Sequence, residues 1–534
     1  MERITRILAV LSVTASFVRA TNSSNPIVNL GYASYIGNYN STSDTNEWLG
    51  IRYAQAPIGE LRFREPQDIE LKNDYSSSQP INATTTPATC VQGKPAWLGE
   101  QSGSESPTSS DEDCLVLNVL APANANASSN LAVMVQIHGG GYTIGSAESS
   151  PGNALVHQSN GTLVYVSIQY RLGAYGFLAG AEVTENGARN VGLLDQRAAL
   201  MWVQRHIRNF GGDPSKVTII GGSAGGGSVM NQMILYGGVY NPPFRAAMAE
   251  YPWWQPFRNE SMLEKQYRGL LNAASCSDID CLRRLPADKL EKATTSTYKT
   301  AYAEGHYSYG DFYYGPSVDG EVIRQLPSQE FKQGHFTRVP LLLNHDAYEG
   351  YMFTNQSLSS VEEEKSGVRE LFPNSRDSFV SRLFELYPAS DFNSTVFQRS
   401  KWYGDFIINC PTYYMATAVS DYGNPVYKFV FAAGNELHGA VGPFVESLNL
   451  KGDASNTTLS SILRDYYVSF AVALDPNAKS YSSISRPYWP TYMNDKNGPF
   501  SILDVTYTTI GAERDIDASP RCDFFHAQSY VVRN

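Results

Sequence analysis

The chain has 534 residues, with 41 Lys and Arg against 52 Asp and Glu, a formal charge of −11 at pH 7 and no block of like charge. That balance argues against an electrostatic nucleic-acid binder. Charged residues make up 17% and aromatic residues 12%, which rules out disorder over most of the length and leaves ample chain for a deep core and a buried site.

At the start, Arg3 and Arg6 precede a short apolar run over residues 7–18, followed by Val18-Arg19-Ala20, a small-x-small cleavage pattern. Residues 1–20 therefore read as a signal peptide, and 21–534 as one exported catalytic domain whose Ser/Asn/Thr-rich start extends to about Asn46. No other stretch approaches the ~18 consecutive apolar residues of a membrane span. Strand-like runs rich in β-branched residues follow at 131–137, 163–170, 216–220, 339–343 and 426–431. Between the second and third, a helix is expected from Asn190 as N-cap, with Val191, Leu194, Ala198 and Met201 on one face and a stop at Gly211-Gly212. Strands alternating with helical patterns imply βαβ crossovers and a mostly parallel central sheet flanked by helices, an α/β fold. Export also suits an even count of six cysteines and the sequons at Asn22, Asn40, Asn82, Asn126, Asn160, Asn259, Asn355, Asn393 and Asn456, which fall in polar stretches and read as glycosylation sites.

Gly221-Gly222-Ser223-Ala224-Gly225 follows the strand KVTII and opens an apolar helical run. The five-residue pattern is weak by itself, but strand before and helix after are what a nucleophile elbow requires: small neighbours for the tight turn and a serine exposed at a helix N-terminus. Upstream, the strand over 131–137 ends in His138-Gly139-Gly140-Gly141-Tyr142. Glycines there let backbone N–H groups converge on an oxyanion, and Gly140, Gly141 and Ala224 are the expected donors. A serine needs an imidazole to remove its proton, and the imidazole needs a carboxylate. If the order is serine, acid, histidine, the base comes late. His438, in the loop LHGAVG after the strand at 426–431, is favoured over His526 near the terminus. The acid lies after the strand at 339–343, where both Asp346 and Glu349 are candidates that spacing hardly separates.

With these segments in view, the chain resembles the type-B carboxylesterases, the group that includes fungal secreted lipases and cholinesterases. The likeness rests on GIRYAQAPIGELRF from Gly50, EDCLVLNV from Glu112, HGGGY from His138, QYRLGAYGFL from Gln169, NVGLLDQRAALMWVQRHIRNFGGDP from Asn190, the elbow, EGYMF from Glu349, HG at His438 and RCDFF from Arg521. The resemblance implies an α/β-hydrolase fold, ester hydrolysis without cofactor or metal, His438 as base and Glu349 rather than Asp346 as acid. It also implies disulfides joining Cys90 to Cys114, Cys276 to Cys281 and Cys410 to Cys522. One position departs from the family: Gly222 stands where a glutamate usually precedes the nucleophile, which alters the polar network beneath the site, where Ser228 falls by family position.

These readings make the protein a secreted serine ester hydrolase acting through an acyl-enzyme on a small-molecule ester. Alternatives are a true triacylglycerol lipase, acyl transfer on the same triad, and a non-catalytic cholinesterase-like binding protein. Two features point to short or medium acyl groups. The segment between the first two cysteines, where family lipases carry a lid, has few apolar residues beyond Val91, Ala96, Trp97 and Leu98. Where the family builds its acyl pocket, Trp253 and Trp254 would narrow the space.

Overall fold

The computed structural model describes residues 25–71, 79–100, 110–496 and 498–534. The signal-peptide reading, Asn22 and residues 101–109 of the first disulfide loop lie outside them. An 11-stranded sheet organises the fold. Its strands are β1 (Asn38–Asn40), β2 (Thr45–Arg52), β3 (Val116–Pro122), β4 (Leu131–Ile137), β5 (Leu163–Ile168), β6 (Gly212–Gly222), β7 (Ala246–Glu250), β8 (Leu341–Asp346), β9 (Val426–Ala432), β10 (Ser501–Thr506) and β11 (Ile510–Arg514). They lie in the order β1-β2-β3-β5-β4-β6-β7-β8-β9-β10-β11. From β5 to β10 every neighbouring pair is parallel; the pairs outside that run are antiparallel. Of the Ser/Asn/Thr-rich start, residues 38–46 belong to the antiparallel edge of the main sheet, whereas Ile27–Asn29 and Ser34–Ile36 pair with each other in a separate three-stranded sheet.

The central strands form because β-branched and aliphatic runs such as LAVMVQI and LVYVSI bury both faces of a sheet covered by helices. Each fully buried Val, Leu or Ile there contributes about 1.5–3 kcal/mol of transfer free energy. Strand order reverses around β4. The chain leaves β4 outward to β5, then crosses back past β4 to β6 and continues the other way. The carboxyl ends of β4 and β6 are thus the topological switch point, the place where ligands bind in open α/β sheets.

The helix after β5, α1 (Val191–His206), departs from expectation in two ways. Asn190 is left-handed, with φ 56° and no capping bond. Its amide instead donates to the Ser317 carbonyl and Asp319 and accepts from the Ser317 N–H, tying the helix start to a distant loop. The buried face runs through Leu193, Ala199, Leu200, Trp202 and Val203, whereas Met201 is exposed and Ala198 half-buried. The sheet on one side and α2 (Ala224–Ile234) on the other cover more of this helix than a single stripe would allow.

All six cysteines are bonded, as Cys90–Cys114, Cys276–Cys281 and Cys410–Cys522. No helix among the described residues is long and apolar enough to cross a membrane.

Candidate active site

Ser223 sits between the last residue of β6 and the first of α2, with φ 59° and ψ −127°. Its neighbours hold that conformation. The Ser223 N–H donates to the Glu250 carbonyl at 3.1 Å, and its carbonyl accepts from the Gly227 and Trp253 N–H groups, each at 2.9 Å. A strained backbone of this kind persists only when so over-determined, and it aims the hydroxyl out of the turn.

The hydroxyl lies 2.9 Å from Nε2 of His438, whose Nδ1 lies 2.5 Å from Oε2 of Glu349. His438 stands in the loop after β9, and Glu349 three residues beyond the end of β8. The sheet thus brings together side chains 89 and 215 positions apart. The rival acid, Asp346, is present too, with a different use. Its carboxylate accepts the N–H groups of Gly439 at 2.8 Å and Val441 at 3.2 Å, clamping the histidine loop. Its own N–H donates to Glu349 Oε1 at 2.5 Å. His526 is remote, packed on Tyr414. Burial lowers the imidazole of His438 to about 4, against the pull of Asp346, so it rests neutral and able to accept a proton. Burial raises the Glu349 carboxyl, opposed by the Asp346 N–H.

The glycine loop after β4 lies against Ser223: a Cβ on Gly139 would come within 3.0 Å of Ser223 Cβ. Gly140 turns at φ 104°, and a side chain there would strike the Ile144 carbonyl. A Cβ on Gly141 would overlap the ring of Phe312. The loop is anchored from below by His138, buried and stacked on Tyr170 at 4.4 Å, whose hydroxyl donates to the His138 carbonyl. Ser228 is fully buried under the elbow and accepts from Gln196 at 2.9 Å.

The two indoles part company. Trp253 lies 6.3 Å from the His438 ring, in a cluster with Phe312, Phe353 and Tyr403. Trp254 faces away, stacked on Phe331. The expectation that both line the pocket is corrected for Trp254: the ring contacts place Trp253 beside His438 and Trp254 against Phe331 instead. Trp97, from the first disulfide loop, fills the cluster further. It is 1% exposed, touches Tyr309, Phe312 and Phe353, and donates its indole N–H to the Asp311 carbonyl.

Sequence reading missed Phe312, Phe353 and Tyr251. Phe353 and Tyr251 each pack edge-on against His438 at 5.0 Å. The aromatic run Tyr251-Pro252-Trp253-Trp254 directly after a sheet strand was a usable signal for Tyr251. Phe353 closes the EGYMF segment that carries the resemblance, and nothing in the sequence singles out Phe312.

Comparison with known proteins identifies the family. The model of the carboxylesterase family matches residues 24–524. Carboxylesterase patB of Aspergillus clavatus is 29% identical over 94% of this chain and 95% of its own length. Secreted lipase 1 of Botryotinia fuckeliana is 30% identical over 86% of each. The crystal structure of Aspergillus niger EstA superposes with a TM-score of 0.84 at 29% identity, covering 96% of this chain and 99% of that one. A family match across almost the whole described chain, on an α/β-hydrolase sheet, makes this protein a member of the carboxylesterase family and a carboxylic ester hydrolase.

Proposed function

We propose that Ser223, His438 and Glu349 are the catalytic triad, and that the enzyme cleaves esters of short or medium acyl groups through an acyl-enzyme. Ser223 Oγ attacks the ester carbonyl as His438 Nε2 takes its proton. The imidazolium then protonates the departing alcohol, and the cycle repeats with water to release the acid. Glu349 holds the Nδ1–H tautomer and stabilises the imidazolium. The N–H groups of Gly140, Gly141 and Ala224 receive the tetrahedral oxyanion. These residues need no metal or cofactor for any of these steps. The supporting observation is the continuous hydrogen-bonded line from Ser223 through His438 to Glu349.

The acyl-length reading rests on the aromatic filling of the site by Trp97, Trp253, Phe312 and Phe353. Export is supported by the three disulfides, which persist in oxidising compartments, and by a relative named a secreted lipase. Glycosylation belongs to the same reading. Asn82, Asn126, Asn160, Asn355 and Asn393 are exposed, whereas Asn40, Asn259 and Asn456 are half-buried.

The test is a series of aryl esters of graded acyl length, with an organophosphonate label to locate the nucleophile. Ser223→Ala, His438→Ala and Glu349→Gln should each fold and lose about 10⁴-fold or more in kcat, and the losses should not add, because the three act as a unit. Unchanged turnover by Ser223→Ala overturns the assignment. Asp346→Asn should cost less than Glu349→Gln; the reverse order would move the acid to Asp346.

A further inference from the structure

The imidazole of His438 has two unlike surroundings. On one side stand Phe353 and Trp253, part of the aromatic cluster. Tyr251 also packs edge-on against it, and Tyr251 makes up part of the wall of a separate pocket of about 810 Å³. That pocket is lined by the polar side chains of Asn40, Ser149, Ser150, Asn153, Asn449 and Glu446 beside Pro151, Pro443 and Leu448, and a glycan on Asn40 would stand at its wall. Gly439 and Gly442 of the histidine loop complete the wall nearest the triad. The lining stops at Tyr251 and these glycines; Ser223 and His438 are behind them.

Tyr251 is held in this place at a conformational cost. Its φ is 32°, rare for a bulky residue, and its N–H is shared between the carbonyl and side-chain oxygen of Asn344 at 2.8 and 2.9 Å. The phenol fits against the backbone of Gly222, where a Cβ would come within 2.3 Å of Oη. A ring so placed separates the nucleophile from the polar pocket.

In an acyl transfer the alcohol oxygen must leave next to His438 Nε2, from which it takes its proton, so the alcohol lies alongside the imidazole. On the aromatic flank the indole N–H of Trp253 is a single unpaired donor, too little for an alcohol with several hydroxyls, and buried unpaired hydroxyls are costly. The polar pocket offers serine hydroxyls, side-chain amides and a carboxyl. We infer that Tyr251 is the specificity-determining residue for the alcohol: its ring restricts the enzyme to esters of small alcohols by closing off a pocket whose chemistry suits a polyhydroxylated one such as a sugar. The inference rests on the hydrolytic reading above.

The experiment compares kcat/KM for methyl acetate and 6-O-acetylglucose in the full chain and its variants, with phenyl acetate as reference ester. Tyr251→Gly is the first variant, because glycine adopts the positive φ without strain; Tyr251→Ala is the second, should the first fail to fold. Relative to wild type, either should shift the ratio of the two acetates toward the sugar ester by about tenfold, the scale set by one group in a specificity pocket. Tyr251→Phe, which keeps the ring, should leave the ratio unchanged, and Glu446→Gln added to Tyr251→Gly should reverse part of the shift. An unchanged ratio in both truncations, with phenyl acetate still hydrolysed, overturns the inference alone. So does an equal shift in Tyr251→Phe. No Ser223-dependent turnover of phenyl acetate by wild type would overturn the hydrolytic reading and this inference with it.

Discussion

Tyr251 Oη occupies the space a side chain at Gly222 would need, so the two positions are coupled. The φ of Gly222 is not positive, so sterics and not backbone freedom require glycine there. Gly222→Glu should therefore push the tyrosine off His438, destabilise the fold by about 1–3 kcal/mol as overpacking does, and lower activity without abolishing it. Adding Tyr251→Gly should restore stability, and thermal unfolding of the single and double variants checks this. If the double variant is no more stable than Gly222→Glu, the two side chains do not compete for one space. His438 supplies a pH test with a definite sign. It must be neutral to act as base, and burial among Phe353, Tyr251 and Trp253 lowers it, so activity should fall with acidification only well below the ordinary 6.5. A limb in kcat/KM at or above 6.5 would show the imidazole to be hydrated in the free enzyme. The pairing of Ser223 with His438 was legible because a motif and its strand-helix context constrain the serine and the loop placement singles out the histidine. The separate uses of Asp346 and Glu349 were not, since three residues of loop do not say which carboxyl meets the imidazole and which the backbone.

β8 and β9, whose following loops carry Glu349 and His438, are fixed to each other by charge as well as by their ladder. Lys428 on β9, fully buried, donates to Asp515 at 2.7 Å and Asp517 at 2.6 Å, and Asp517 also meets His345 of β8 at 2.8 Å. The neighbouring cations hold Asp517 well below the usual carboxylate range. Lys428→Met would leave two buried carboxylates without that cation. It should destabilise the protein by about 3–5 kcal/mol, read as a lower denaturant midpoint at constant m-value. A change under about 1 kcal/mol, the range of exposed pairs, would show that water reaches the pair. Neither end of this network announces itself in the sequence: a lysine in VYKFVFA reads as a solvated strand face until the partners arrive from more than 80 residues away. The same limit applies to the sheet edges. The buried parallel strands β4 and β5 are legible as apolar runs, whereas β11, with the sequence IGAER and almost wholly exposed, carries no periodic signal, and only its ladder with β10 makes it a strand. On α1, Met201 satisfied a helical spacing yet faces water, because spacing fixes a stripe but not which stripe meets the sheet.

Across the whole molecule, the disulfides and the first loop decide how the enzyme meets its surroundings. Cys410–Cys522 closes 112 positions and Cys276–Cys281 only 5, so on the loop-entropy model they stabilise by about 5 and about 2 kcal/mol. Paired Cys→Ser variants should show that ranking in thermal unfolding, and free thiols in the native protein would count against the pairing. The first loop bears on lipase or esterase behaviour. A lid that opens at oil must have apolar surface to present there. Of the apolar residues in that loop, Val91 and Trp97 are already buried, and Ala96 and Leu98 are half-buried in or beside a helix of only five residues. The sequence beyond them, QSGSESPTSSDED, offers no apolar face. Trp97 is moreover tied to the aromatic cluster beside His438 and to the Asp311 carbonyl, so swinging it outward would expose Phe312 and Phe353 and break that bond. Exposing those faces would cost more than such a short segment could recover at an interface, so the rate on tributyrin should rise and saturate smoothly through its solubility limit, with long-chain triglyceride emulsions turned over slowly. A jump in rate as the emulsion forms would show instead that the loop opens and that the enzyme is a true lipase. Trp97→Ala separates the two outcomes further. If the indole only fills the site, its removal should favour longer acyl chains in solution and leave the profile across the solubility limit without a step.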